Sequence, residues 1–252
     1  MPASPSAASP TAASPTAAEV MAAVDAVADP ERATSSARFF KTGPGEYGEG
    51  DVFAGVPVPV TRRIARSFRG IAAGEVRDIL ESPVHEHRLI ALVLLRTEFD
   101  RETDPHRKAA WVAEYRAAVD RGRVNNWDLV DASADAILGS WAFEQGDHSV
   151  LVDHARRTDL WTRRVGIIGT FAYLRRGDAT ATLAVAPIVL DDRRDLIQKA
   201  IGWMLREVGK RVDRTLLTDF LEERSAEMGR TALGYAVEHL TPEQRSYYRG
   251  LR

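Results

Sequence analysis

From Pro59 to the C-terminus the chain reads as helix after short helix. Apolar residues recur at three- and four-residue steps over 60–69, 74–81, 84–99, 105–121, 127–143 and 148–158. The same spacing continues over 161–176, 179–190, 192–209, 213–226, 230–239 and 242–250. Breaks fall at Gly70, Ser82-Pro83, Asp104-Pro105, Gly122, Gly146, Gly177 and Thr241-Pro242, where glycine and proline are the expected punctuation. Pro187 lies inside one window and predicts a kink or a shortened helix. No stretch sustains the alternation of a strand. Helix pairs on short loops predict an all-α, HEAT-like repeat solenoid, an α-α superhelix. Such an array curves and presents a concave face. The repeat is weak as sequence: Leu89–Leu92, Val165–Ile168 and Ile197–Ile201 share only an apolar pattern.

Ahead of Pro59 the pattern changes. Glu19 to Ala28 predicts a helix, stopped by Asp29-Pro30, because the residue before a proline disfavours helical backbone. A second short helix holds Phe39 and Phe40. Gly43 to Asp51 is a glycine-rich loop without the Gly-Lys-Ser/Thr ending of a phosphate-cradling loop. Its acids, Glu46, Glu49 and Asp51, are expected to repel phosphate, so it reads as a tight connection. Residues 1–18 are almost wholly Ala, Ser, Pro and Thr, which cannot bury enough apolar surface to fold. They also lack the basic start and apolar core of a secretory signal. The expected organisation is a disordered leader over 1–18 and one repeat domain over 19–252.

Composition narrows the chemistry. The 252 residues include no cysteine, which excludes disulfides, thiolate zinc sites and a cysteine nucleophile and suits a cytoplasmic setting. The apolar runs are far shorter than a membrane span, so no membrane partner is expected. Net charge is −2, so any nucleic-acid affinity must come from a local patch. One candidate patch runs from 150 to 214, with 13 Lys and Arg against 8 Asp and Glu.

Three stretches carry candidate chemistry. In the first, Asn126 can cap a helix that places Trp127 and Asp131 four residues apart on one face. Val130, Ala134, Ile137 and Trp141 mark the apolar stripe of that helix, with Trp127 on its shoulder and Asp131 further off. An indole beside a carboxylate can hold a flat cation, although on this helix alone a half-buried Trp beside a solvated Asp is the better account. The second stretch, Leu160 to Val165, opens a helix with Trp161 and Arg164 on one face. The third runs from Gln198 to Glu207. Lys199, Trp203, Arg206 and Lys210 form a lane beside its core stripe of Ile197, Ile201, Met204 and Val208. A Trp in a lane of cations suits a nucleic-acid backbone better than a core.

Other constellations are weaker. His85, Glu86 and His87 adjoin, but alternate residues on a helix diverge, which argues against a metal pair. His148 and His154 lack a third ligand, and no Ser sits in a Gly-x-Ser-x-Gly setting. Asp135 shares the face of Asp131 and reads first as solvated; Trp111 and Tyr115 read as core packing. Arg175-Arg176 and Arg193-Arg194 read first as charges placed near helix ends.

Together the pieces resemble the DNA alkylation repair (AlkD-like) family of HEAT-like-repeat DNA glycosylases. The matching stretches are Asn-Trp-Asp-Leu-Val-Asp at 126–131, Trp-Thr-Arg-Arg at 161–164 and Gln-Lys-Ala-Ile-Gly-Trp-Met-Leu-Arg-Glu at 198–207. Phe40 to Asp51, continuing through Phe53, Gly55, Val56, Pro59 and Arg62, is similar to the leading segment of one branch of that family. The resemblance spans roughly residues 20–250. It implies a monofunctional glycosylase that releases cationic N3- or N7-alkylated purines from double-stranded DNA, with no cofactor and no metal. Asp131 would be the catalytic carboxylate, and Trp127 and Trp203 would pack against the lesion nucleotide. Arg164 would hold a flanking phosphate, with Arg163, Lys199, Arg206, Lys41 and Tyr47 as further DNA contacts. A cytoplasmic monomer, nucleoid-associated when on DNA, is expected. The competing expectation is a HEAT-like module that binds DNA or protein without catalysis. The presence of Trp127, Asp131, Arg164 and Trp203 together favours the enzyme.

Overall fold

The computed structural model describes residues 14–251. The first helix, α1 (Ala17–Asp25), starts earlier than composition suggested. Thr16 and Glu19 form a capping box: the Thr16 side chain accepts from the Glu19 N–H, and Glu19 accepts from the Thr16 N–H. Ala17 is buried and donates its N–H to Glu75 at 2.6 Å, so Ala17 and Ala18 belong to the fold and not to the leader. The rest of that expectation, over residues 1–13, lies outside the described residues.

The next elements are α2 (Pro30–Phe39), α3 (Val58–Ala65), α4 (Ala73–Leu80), α5 (His85–Arg101) and α6 (Pro105–Asp120). Asp29 and Asp104 cap α2 and α6, each followed by the proline that stops the preceding segment. The chain continues through α7 (Trp127–Ser133), α8 (Ser140–Gln145), α9 (Ser149–Arg156), α10 (Leu160–Gly169) and α11 (Phe171–Leu174). It closes with α12 (Thr180–Val189), α13 (Asp195–Glu207), α14 (Arg214–Arg224), α15 (Arg230–Ala236) and α16 (Pro242–Gly250). Pro187 sits inside α12, which ends two residues later. Among the described residues there is no strand, only an isolated bridge from Val52 to Val84. No described helix is long and apolar enough to cross a membrane.

The helices stack in two rows, an all-α helical repeat. In one row α5 packs on α7, α7 on α10, α10 on α13 and α13 on α15. The other row is carried by α4 and α6 against α5, α9 against α10, and α12 against α9 and α13. A continuous core of Leu, Ile, Val and Ala fills the space between the rows. The residues of interest lie on the first row.

Two features of that row escaped the periodicity. The window 127–143 is one expected helix, but the ladder passes through a π turn over 135–139 between α7 and α8. There the chain presses on α10: a Cβ on Gly139 would fall 2.1 Å from the Gly169 carbonyl oxygen, so only glycine fits. In α13, a Cβ on Gly202 would come within 2.5 Å of the Ala232 carbonyl oxygen. Gly202 therefore lets α15 lie directly against α13 and seats Tyr235 beside Trp203. Gln198 braces the same region from inside, donating to the Asp192 carbonyl and accepting from the Ala232 N–H at 3.3 Å.

Candidate active site

The first row brings the three singled-out stretches to one cleft of about 400 Å³. Trp127 from α7, Arg164 from α10, and Lys199, Trp203 and Arg206 from α13 line it. The segment before α3 closes the other side with Phe39, Lys41 and Tyr47, and Tyr235 of α15 adds the far rim. Trp161 stays just outside, its ring edge-on to Tyr47 at 6.0 Å. Lys199, Trp203 and Arg206 of the expected lane thus face the cleft, while Lys210 falls in the turn after α13 and lines a different pocket; Lys41 and Tyr47 face the lane from across the gap.

Asp131 stands one turn after Trp127 and is bonded to Arg164 in the cleft wall. Arg164 donates from Nε and Nη2 to the two carboxylate oxygens at 3.0 and 2.8 Å, and from Nη1 to the Leu196 carbonyl. The Arg164 side chain is only 6% exposed, while Asp131 keeps 21%. Asp131 is therefore half-buried and paired, not a solvated carboxylate, and Arg164, expected to hold a phosphate, grips Asp131 and the Leu196 carbonyl while lining the cleft. The residues of the α7 wall sit in a crowded negative field. Burial pushes the Asp131 carboxyl above the usual range; Arg164 opposes this, and the neighbouring carboxylates Asp128 and Asp135 add to it. Asp135 is likewise buried, not solvated, and pairs with Arg175 at 2.8 Å. A perturbed carboxyl next to a cleft-lining arginine is where chemistry tends to be found.

The other cations are also less free than their count suggests. Arg163 donates to Asp192 at 2.6 Å and to the Arg157 carbonyl at 2.8 Å, so it is an internal strut. Lys199 pairs with Asp195 at 2.7 Å, but on the surface. Arg206 pairs with Glu207 and Glu238. Much of the basic charge of 150–214 is therefore paired, in part with acids outside that stretch, Asp131, Asp135 and Glu238. Conversely, Glu46 and Glu49 do not project as a repelling fence: they accept from the N–H groups of Gly43 and Gly45, each at 2.9 Å, and fold the loop.

Asp192 is the hub of these struts, and it makes a testable case. Burial alone would raise its carboxyl, but bonds from Arg194 and then Arg163 hold it down to about 2. The folded value lies below the ordinary 3.8, so the stabilisation is complete above that pH and lost as pH falls towards 2. Asp192→Asn is expected to cost roughly 2 kcal/mol at neutral pH. Urea unfolding across pH should show the gap between variant and parent closing as pH falls from about 4 to about 2.

Trp127 rests on a column that the pattern of the chain did not reveal. Its ring stacks on Phe40 at 5.4 Å, Phe40 on Phe53 at 5.0 Å, and Phe53 on His85 at 4.6 Å. His85 in turn contacts Asp51 through Nδ1 at 3.2 Å and Asp128 through Nε2 at 2.8 Å. Arg88 and Asn126 also donate to Asp51. Glu86 accepts from three successive loop N–H groups, those of Ala54, Gly55 and Val56. The signal was present in the sequence: four consecutive titratable residues, His85 to Arg88, precede the apolar run Leu89 to Leu95 of the same helix, and all four are buried. No group of described residues is arranged to hold a metal ion. On the other wall Trp203 leans on Phe171 at 5.6 Å, and Arg175 and Arg211 lie over the Phe171 ring at 4.7 and 5.1 Å.

The sequence profile of the DNA alkylation repair enzymes matches residues 20–240. The chain belongs to the DNA alkylation repair enzyme family. A solved structure of a predicted DNA alkylation repair enzyme from Enterococcus faecalis is similar, with a TM-score of 0.61 at 19% identity over 85% of this chain and 97% of that one. At that identity the likeness is one of fold. No curated protein sequence matches the chain. For a member of a DNA repair family, an aromatic cleft edged by Lys41, Lys199 and Arg206 is apt: aromatic faces suit bases, and cations suit the backbone.

Proposed function

We propose that this protein is a monofunctional DNA glycosylase that hydrolyses the N-glycosidic bond of cationic N3- or N7-alkylated purines in double-stranded DNA. The observation that carries the reading is the placement of Asp131: a half-buried carboxylate one turn from Trp127, oriented by Arg164, which lines the cleft together with Trp127 and Trp203. An alkylated purine of this kind is already positively charged, so its bond to the sugar is weak and the leaving base needs no proton. The sugar gains positive charge as that bond breaks. A fixed carboxylate stabilises this charge through space and can orient the attacking water. Trp127 and Trp203 favour the charged base over a normal one through their π faces, by ~1 kcal/mol. Lys41, Lys199 and Arg206 at the cleft edge supply the backbone contacts, and Arg164 becomes the residue that aims Asp131.

One observation favours a second reading, a non-catalytic DNA-binding module: Arg164 occupies both oxygens of Asp131. Incubation with duplex DNA bearing a single 7-methylguanine separates the two. Release of free base, with no strand cleavage, is the expected result. Tight binding without release would favour the module.

A further inference from the structure

We propose that His85 is a positioning residue of this cleft: its imidazolium bridges Asp51 and Asp128 and thereby fixes the Trp127 ring in the wall. The inference rests on the glycosylase reading for its consequence in catalysis, but not for the geometry. His85 lies under the cleft, at the first position of α5, and does not line it. Both of its ring nitrogens face carboxylates, Asp51 at 3.2 Å and Asp128 at 2.8 Å. A neutral imidazole has one N–H and one acceptor nitrogen, so it can donate to only one of them. Donation to both requires the charged ring.

The two carboxylates come from different parts of the chain. Asp51 ends the glycine-rich segment that carries Lys41 and Tyr47, and Asp128 directly follows Trp127 on α7. The bridge therefore joins one side of the cleft to the other. Backbone bonds reinforce it where the segment meets α5: the His85 N–H donates to the Val52 carbonyl at 2.7 Å. The face of the imidazole supports Phe53, and through Phe40 the same column reaches Trp127. His85 thus acts on Trp127 in two ways, by the bond to Asp128 and by the stack.

The charged groups that face this bridge are few. Asp51 comes from the segment and Asp128 from α7; Arg88, one turn on from His85, donates to Asp51. Tyr47 lies within electrostatic range of Asp128. Burial disfavours the charge on His85, but the bonds to Asp128 and Asp51 outweigh it and push the imidazole up to about 9. The folded value lies above the ordinary 6.5, so the bridge is fully formed below that pH and is lost as pH rises through about 9.

The test uses the full chain with 5-fluorotryptophan at its five Trp positions, and fluorine NMR. Single Trp→Phe changes assign the resonances. In the parent, the Trp127 resonance should move with a midpoint near pH 9, while those of Trp111 and Trp141 stay in place. In His85→Gln it should be displaced at pH 7 and no longer titrate. Release of 7-methylguanine by this variant should fall roughly tenfold to a hundredfold, the scale of a misplaced contact. Its affinity for undamaged duplex should be unchanged. If folded His85→Gln leaves the Trp127 resonance where it was, or if all five resonances move together, His85 is merely structural and the proposal fails. If His85→Gln does not fold, the titration of the parent decides alone: a Trp127 resonance that is flat to pH 10 overturns the bridge. If the parent releases no base, the glycosylase reading fails while the resonances still judge His85.

Discussion

Asp131→Asn is expected to slow base release by roughly two orders of magnitude or more, the usual scale for losing one electrostatic or general-base group. The substitution keeps the shape and removes the charge that would face the developing sugar cation. It is not a silent change to the fold. Asp131 accepts two bonds from a buried guanidinium, and an Asn can accept on one side only. Its amide N–H₂ would meet an Arg164 donor, so a stability loss of about 1–3 kcal/mol is expected where an exposed Asp would give ~0.5. Single-turnover release of 7-methylguanine should therefore be measured below the variant's own melting range, with folding checked by circular dichroism. Duplex affinity should hold, because the cations at the cleft edge are untouched. The parent's own rate should fall on the acid side, as Asp131 takes up a proton at a pH above the ordinary carboxylate range. A folded Asn variant that releases base at the parent rate would remove Asp131 from the reaction. Asp128 and Asp135 flank it, but each is already tied to its own cation, His85 and Arg175.

Local signals carried the fold well. Gly and Pro punctuation placed the helix ends, and 3.6-residue spacing put Trp127 on one helix and Lys199, Trp203 and Arg206 on another; the row of α7, α10 and α13 then brings them to one cleft. The start of α1 was also legible, in the Thr16–Glu19 capping box, although composition hid it. What was not legible is pairing across the chain. Arg163 and Arg164 adjoin, yet one meets Asp192 and the other Asp131, partners 29 and 33 residues away. Spacing assigns a side chain to a face of its helix; only the packing of the next helix decides whether that face is wet. The same holds for His85 to Arg88, which look like a solvated start of α5 until the segment 51–56 folds over them. The π turn before α8 is a third case, set by contact with Gly169 and not by the apolar period.

The Arg164–Asp131 pair also yields the largest expected loss of stability. In Arg164→Met a chain of similar length fills the space without charge. Asp131 then loses the cation bonded to it while Asp128 and Asp135 still press on it. Removing one partner of a buried pair typically costs about 3–5 kcal/mol. Part of that cost is avoided if Asp131 takes up a proton, so its carboxyl should move further up. The sign is then fixed: the acid limb of the rate profile should shift to higher pH, and release at neutral pH should fall while recovering in part as pH is raised. Arg164→Lys keeps the charge but cannot grip both oxygens in one plane, so it should fall between parent and Met variant in both stability and rate. Urea unfolding and the pH dependence of base release measure the two effects. A phosphate-holding role for Arg164 makes the opposite forecast, with weaker binding to every duplex, unchanged stability and an unmoved acid limb. That pattern would mean the guanidinium turns outward on DNA, and the orientation of Asp131 would need another source.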